Sequence, residues 1–194
     1  CSQCLYEPSD FSVYEVGQRA LAQGVIQGRD MTTEAAVTKL MWVLGQTTDR
    51  AEAEKLFGMN ARIILAQGAL ESGWGTSCLA TEHNNYFGMM GYGAANAWWH
   101  GERAELEAAN GVVHYFRHYT SPRMSFFDFA RLIHTGYHRA WSFSRIPEAY
   151  AKEIAYSPYI SEQNGDNRER YRQSIVALEE EIGRMMDWGE GMAA

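Results

Sequence analysis

A single glutamate, Glu71, ends the most apolar stretch of the chain. Residues 60–70 before it are apolar nearly all round a helix, which is typical of a helix buried in the centre of a domain. Desolvation there would raise the pKa of the Glu71 carboxyl, and a carboxyl group that keeps its proton near neutral pH can act as a general acid. Because an unpaired buried charge is costly, a structural glutamate with local hydrogen bonds is the alternative interpretation.

Aromatic residues gather downstream of this glutamate. Of the 25 aromatic residues, 17 lie between Tyr86 and Tyr159, interleaved with amides and carboxylates. Aromatic faces stack on sugar rings while amides and carboxylates bind hydroxyl groups, so this composition suits a polysaccharide groove as well as a packed core. Glycoside hydrolysis needs one protonated carboxyl group and usually a second, ionised one. The groove candidates are the aromatic residues next to glycines and polar residues: Trp74, Tyr86, Trp98 and Trp99.

Other catalytic signatures are weak. His134 and His138 have the i, i+4 spacing of two metal ligands, but Thr135 stands where a zinc protease carries its glutamate. Hydrogen-bonded or solvated histidines are therefore expected. The sequence contains neither a glycine-rich phosphate loop nor a Gly-x-Ser-x-Gly motif, and Cys78 is interpreted as a small buried thiol. We predict no metal and no other cofactor.

Composition argues against several classes of protein. The 17 Lys and Arg against 24 Asp and Glu give a formal charge of −7, without the basic surface that nucleic-acid binding uses. A nucleic-acid partner is therefore not expected. No apolar run reaches 18 residues, so a membrane-spanning segment is not expected either. Three cysteines are too few for a disulfide-dense scaffold, and Cys1 is compatible with lipid modification.

Helical periodicity predicts the elements that position these residues. In residues 1–58 it indicates three short helices: one near 13–24, one from a cap at Thr32 to Gly45, and one from Thr48 or Asp49 to Phe57. These three have too little apolar surface to form a core alone. Later helices are expected after Ser121-Pro122, after Pro147, and from about Asn167 to Met186, with a frayed tail beyond Trp188.

Between the helices, residues 84–119 change character. Repeated glycines there interrupt helices, and Asn110-Gly111 is a strong signal for a two-residue hairpin turn. The predicted fold is therefore mainly α with a small β-hairpin lobe.

Three stretches, AQGALESGWGTS at 66–77, NNYFG at 84–88 and FRHYTS at 116–121, carry a resemblance to a known family. They resemble the glucosaminidase domains of bacterial peptidoglycan hydrolases, glycoside hydrolase family 73. The resemblance covers about residues 60–186. It implies a lysozyme-like helical domain with a small β-lobe, and cleavage of the β-1,4 bond on the reducing side of N-acetylglucosamine.

The resemblance also implies roles for particular residues. Glu71 takes the place of the family's general acid, and Glu107 best matches the second carboxylate, with Glu105 on the same strand face as its competitor. Tyr156, in Tyr-Ser-Pro-Tyr, matches a tyrosine that lines the family's active site. The residues expected to bind substrate are Trp74, Asn85, Tyr86, Phe87 and Trp99.

Residues 1–58 carry a second resemblance, to the C-terminal portion of bacterial type I asparaginases. The run from Gly28 to Leu40 is its clearest part. That family's nucleophilic threonines lie in a domain that this sequence lacks, so no amidohydrolase activity is expected. We predict a non-catalytic helical segment over 1–58, followed by a glucosaminidase domain over 59–194.

The predicted function is peptidoglycan hydrolysis in the cell envelope or outside the cell, with the glycan strand as partner. A non-catalytic module that binds or assembles the wall is the alternative.

Overall fold

The computed structural model describes residues 10–26, 33–161 and 167–193, which form helices packed on one another and one small antiparallel sheet of two strands. This confirms the predicted mainly α fold with a β-hairpin lobe. Cys1, Cys4 and the predicted cap Thr32 lie outside the described residues. In chain order the elements are α1 (Asp10–Ala22), α2 (Thr33–Gly45), α3 (Thr47–Phe57), α4 (Ala61–Ser72), α5 (Cys78–His83), β1 (Arg103–Glu107), β2 (Val113–Arg117), α6 (Pro122–Gly136), α7 (His138–Ser142), α8 (Pro147–Ala155) and α9 (Arg168–Ala193).

Helix α4 forms the centre of the core, as its apolar sequence predicts. Asn60 caps its N-terminus by accepting a hydrogen bond from the Arg62 backbone N–H at 3.1 Å, and Gly73 ends it with a φ of 56°. Between Ala61 and Ala69, every residue except Arg62 is buried. Helix α9 packs against both α4 and α8, so the last helix closes the core around the helix that carries the candidate acid.

The hairpin lobe is confirmed, but its turn differs from the prediction. Strands β1 and β2 pair with Glu105 opposite Tyr115 and Glu107 opposite Val113. The Ala108 backbone N–H donates to the Val112 carbonyl at 2.8 Å, which leaves a loop of three residues, 109–111. Gly111 takes a φ of 80° at the end of this loop, where a left-handed residue is required.

The N-terminal helices pack onto the segment that follows α4. Helix α2 contacts α9, α3 contacts α6, and Val43 of α2 is fully buried in the shared core. The Trp42 and Trp74 rings meet edge to face with centroids 6.1 Å apart. Gly75 has a φ of 76°, and a Cβ added there would lie 2.3 Å from the Trp42 ring. Only glycine fits this contact.

Other details correct the predictions. Helix α3 begins at Thr47, before the predicted caps, and Cys78 is exposed rather than buried. Helix α9 continues to Ala193 through the tail that was expected to fray, and where that tail begins the Trp188 indole donates to the Gln23 side-chain oxygen at 2.6 Å. Although α9 has 26 residues, no helix in the described ranges is long and apolar enough to cross a membrane.

Candidate active site

An open cavity of about 730 Å³ contains Glu71 in its wall. Its lining comes from the end of α4, the stretch from Phe87 to Tyr92, Arg117 at the end of β2, the second half of α6, residues 158–160 and the first turns of α9. Glu71 lies in the last turn of α4 and is exposed, so the expected burial of its carboxyl group is wrong. The helix buries its other faces and presents this side chain to the cavity.

Three side chains from three helices lead by hydrogen bonds to Glu71. The Tyr171 hydroxyl donates to Glu71 Oε1 at 3.1 Å, and Gln67 Nε2 donates to the Tyr171 hydroxyl oxygen at 3.1 Å. The hydroxyl of Tyr150 donates in turn to Gln67 Oε1. Gln67 precedes Glu71 by four residues, which puts both on one face of α4.

Two tyrosines beside Glu71 keep their protons. Burial raises the pKa of Tyr159, and the charge of Glu71 raises it further. Burial likewise raises the pKa of Tyr171, with added contributions from Tyr159 and Glu71. Both residues line the cavity, and the protonated hydroxyl of Tyr171 is the donor to Glu71.

Asn85, which was expected to bind substrate, instead fixes the cavity wall. Its side-chain nitrogen donates to the carbonyl groups of Arg117 at 2.9 Å and Met89 at 3.0 Å, and its oxygen accepts from the Met89 backbone N–H at 3.1 Å. Because only 1% of its surface is exposed, the Asn85 side chain is not accessible to a sugar. It ties residues 86–89 to strand β2.

The aromatic groove candidates are mostly interior residues. Tyr86 is 0% and Trp99 is 2% exposed, so neither ring can stack on a sugar, and the predicted contact is corrected. Burial is the main reason why the pKa of Tyr86 is raised to about 12. Phe87 does border the cavity, but its ring stacks on Phe129 with centroids 4.0 Å apart. Trp98 is half-buried among core residues.

Trp74 faces the N-terminal helices. It is half-buried, with the Lys39 ammonium group 4.8 Å from its ring centroid, and it is not among the residues that line the cavity. Its φ of 57° is uncommon for a residue other than glycine. A direct sugar contact by Trp74 stays a prediction.

The two carboxylates of the hairpin and Tyr156 lie apart from the cavity lining. Glu105 and Glu107 are exposed on β1. Tyr156 is 55% exposed, and its hydroxyl donates to Glu169 Oε2 at 2.9 Å. The tyrosine of this motif that borders the cavity is Tyr159.

A buried ionic network fastens the hairpin lobe to α6. Asp128, 0% exposed, accepts hydrogen bonds from Arg117 at 2.7 Å, Tyr119 at 2.5 Å and Arg131 at 2.8 Å. Burial alone would raise the pKa of Asp128, but the hydrogen bonds from Tyr119 and Arg131 and the charges of both arginines outweigh it, so the pKa is lowered. The Arg117 guanidinium also lies 4.1 Å from the Trp99 ring centroid.

The histidine pair is not among the residues that line the cavity. His134 is in the last turn of α6 and His138 begins α7, with ring centroids 5.5 Å apart. The described part of the chain contains no group of three His, Cys, Asp or Glu residues that could hold a metal ion.

Comparison with known proteins identifies the family. The sequence profile described as mannosyl-glycoprotein endo-beta-N-acetylglucosaminidase matches residues 48–184. The chain belongs to this glucosaminidase family. The predicted resemblance and the predicted glycoside hydrolase class are thereby confirmed.

Solved structures share the fold of this glucosaminidase. The glycoside hydrolase domain of FlgJ from Salmonella typhimurium is 22% identical with a TM-score of 0.61, over 80% of this chain and 94% of that one. The catalytic domain of the autolysin Auto from Listeria monocytogenes is 17% identical with a TM-score of 0.60, over 93% and 98%. A peptidoglycan hydrolase from Sphingomonas sp. A1 is 24% identical with a TM-score of 0.56, over 75% and 94%. The predicted lysozyme-like fold is confirmed.

The N-terminal segment of the glucosaminidase matches a different family. The profile of the glutaminase/asparaginase C-terminal domain matches residues 1–57. Over 59 residues the chain is 54% identical to one component of the glutamyl-tRNA(Gln) amidotransferase from Methanobrevibacter smithii and 52% identical to L-asparaginase from Thermococcus kodakarensis. The match covers 30% of this chain but only 14% and 18% of those proteins. The second predicted resemblance is confirmed.

Proposed function

We propose that this glucosaminidase hydrolyses the glycan strand of peptidoglycan on the reducing side of N-acetylglucosamine, with Glu71 as general acid. The observation that carries the proposal is the position of Glu71 in the wall of an open cavity, where Tyr171 holds one of its oxygens. Membership of the glucosaminidase family and a fold shared with an autolysin and a peptidoglycan hydrolase support this substrate. Such a substrate places the enzyme at the cell wall, in the envelope or secreted.

The chemistry at this site begins with proton transfer. Glu71 donates its proton to the glycosidic oxygen as the bond breaks, so the departing sugar leaves as an alcohol rather than an alkoxide. A second carboxylate would stabilise the positive charge at the anomeric carbon or activate water. Glu107 is our candidate, with Glu105 as its competitor, and Tyr156 is proposed to assist.

Digestion of purified peptidoglycan tests the proposed function. We expect new reducing ends, and after borohydride reduction mass spectrometry should find N-acetylglucosaminitol at the cut ends. N-acetylmuramitol at those ends would contradict the proposed bond.

A non-catalytic wall-binding module is the second candidate function. The observation that favours it is the absence of Glu105 and Glu107 from the cavity lining. Binding to insoluble peptidoglycan without any release of reducing ends would support this function and exclude the first.

Substituting each hairpin carboxylate separately identifies the second catalytic group. Glu107→Gln is expected to reduce turnover about 10²-fold or more, and Glu105→Gln by less, because the two share one strand face and only the carboxylate nearer the reacting bond can take the catalytic role. Both are exposed, so neither change should alter folding. Rates of reducing-end release decide the assignment. If Glu105→Gln has the larger effect on the rate, Glu105 is the second catalytic carboxylate, two residues earlier on the strand. If neither change lowers the rate, a single-carboxylate mechanism is favoured.

Residues 1–58 are proposed to stabilise the enzyme without taking part in chemistry. Leu40 and Val43 are 0% exposed, and Trp42 packs against Trp74 and Gly75. Burying each aliphatic side chain contributes roughly 1.5–3 kcal/mol.

Removing this segment is therefore expected to lower the melting temperature. Each kcal/mol lost lowers it by roughly 2–4 °C in a chain of this size. The intact chain should release no ammonia from asparagine. A chain that starts at Gly58 and keeps the melting temperature and activity of the full chain would contradict the stabilising role.

A further inference from the structure

In the chain of hydrogen bonds from Tyr150 through Gln67 and Tyr171 to Glu71, each residue donates to the next. Tyr150 on α8 and Gln67 on α4 are both 0% exposed, so their polar atoms must find partners inside the protein. In the described part of the chain, the acceptor for the Tyr150 hydroxyl is Gln67 Oε1. This contact orients the Gln67 amide, because its nitrogen must then point the other way, toward Tyr171.

The orientation of Gln67 determines what the Tyr171 hydroxyl can do. Its oxygen accepts a hydrogen bond from Gln67 Nε2 at 3.1 Å, so its own proton is directed to Glu71 Oε1, also at 3.1 Å. The reverse direction would turn Gln67 Nε2 toward Tyr150 and leave the buried Tyr150 O–H without that acceptor. Such a loss carries the full desolvation penalty of the hydroxyl group.

We propose that Gln67 and Tyr171 are positioning residues that determine which oxygen of Glu71 carries the catalytic proton. Oε1 receives the Tyr171 proton and serves as an acceptor, so the proton of the neutral carboxyl group resides on Oε2. Oε2 lies 3.8 Å from the position that a Cβ on Gly88 would occupy, at the cavity wall. This inference rests on the proposed function, since it assigns the atom that performs the proposed proton transfer.

The reaction step then has a defined direction. The proton moves from Glu71 Oε2 to the glycosidic oxygen, the bond from that oxygen to the anomeric carbon breaks, and its electron pair stays on the departing oxygen. Over the full hydrolysis one water supplies the hydroxyl group on the anomeric carbon and returns a proton to the enzyme. The Tyr171 hydrogen bond persists on the carboxylate that Glu71 becomes. Burial raises the pKa of Tyr171, which keeps this donor protonated.

Two substitutions test the proposal. Tyr171→Phe removes the donor to Glu71, and Gln67→Met removes the group that orients it while keeping a similar volume. We expect each to lower kcat by roughly 10–100-fold on soluble glycan strands, the range for a hydrogen bond to a charged group, with KM unchanged. The double variant should be little slower than Tyr171→Phe alone, because both residues act through one contact. Gln173→Met, the same change on the exposed part of α9, is the matched control and should keep the wild-type rate.

A background that lacks the acid separates positioning from folding and from substrate contact. In a Glu71→Gln chain, Tyr171→Phe should cause no further loss of the residual rate. A further loss of tenfold or more, or wild-type kcat for Tyr171→Phe in an otherwise active enzyme, would overturn the positioning role alone. A wild-type chain that releases no reducing ends would overturn the proposed function, and this role with it.

Discussion

Replacing Glu71 with Gln is expected to lower the rate of reducing-end release by about 10²–10⁴-fold. The amide keeps the shape of the side chain, and its oxygen can still accept the Tyr171 hydrogen bond, but it cannot supply a proton. Glu71 is exposed at the end of α4, and glutamine has nearly the same volume, so the change neither leaves a cavity nor overpacks the core. The free energy of unfolding should therefore shift by less than about 0.5 kcal/mol. Digestion rates and denaturation curves from one preparation measure both quantities.

A matched control is available on the next helix. Glu82 is exposed on α5 and does not line the cavity, so Glu82→Gln should keep the wild-type rate. Calorimetry with soluble glycan fragments should find similar affinities for wild type and Glu71→Gln. A Glu71→Gln enzyme within a few-fold of wild type would remove this residue from the general-acid role.

The sequence predicts those helices and strands whose ends are marked by neighbouring residues, such as a cap, a stop glycine or a turn dipeptide. Helix α4 has its cap at Asn60, its stop at Gly73 and apolar residues between them, so its position follows from neighbours along the chain. The hairpin is predicted by Asn110-Gly111, yet the loop has three residues because Ala108 still pairs across it. Helix α9 extends beyond its predicted end at Met186, where Trp188 contacts Gln23, a residue 165 positions away that no local pattern could indicate.

The surroundings of Glu71 depend on contacts that no local pattern reveals. Tyr171 is 100 residues from Glu71 in the chain, and only the packing of α9 on α4 brings them together. Gln67 had a local signal, its i, i+4 spacing from Glu71, but a buried polar side chain in an apolar helix does not show its partner. Tyr86 is the opposite case, a residue predicted to lie in the groove that is buried instead. Its glycine and amide neighbours suggested a groove, whereas Asn85 holds this loop against β2, and the ring of Tyr86 lies in the core.

Replacing Asp128 with Ala is expected to destabilise the enzyme by about 3–5 kcal/mol, because it leaves buried positive charge without its partner. Arg117 is 7% exposed and would lose its 2.7 Å ion pair, while Tyr119, 1% exposed, would lose its acceptor. Since this network joins β2 to α6, the hairpin lobe should also lose its fixed place beside the cavity. Denaturant unfolding measures the stability, and hydrogen exchange of the β1 and β2 amides measures the lobe.

The pH dependence of stability is an independent test of whether ionised Asp128 stabilises the folded enzyme. The pKa of Asp128 is lowered in the folded enzyme, so its contribution is complete above the ordinary aspartate pKa and is lost as pH falls through the lowered value. The stability difference between wild type and Asp128→Asn should be constant near neutral pH and shrink below about pH 4. Asp187→Asn is the exposed control: its carboxylate pairs with Arg62 at 3.0 Å in solvent, and its loss should be under about 1 kcal/mol. Because both substitutions remove one aspartate charge, equal losses at Asp128 and Asp187 would show that burial adds nothing to the network and that the lobe is held by other contacts.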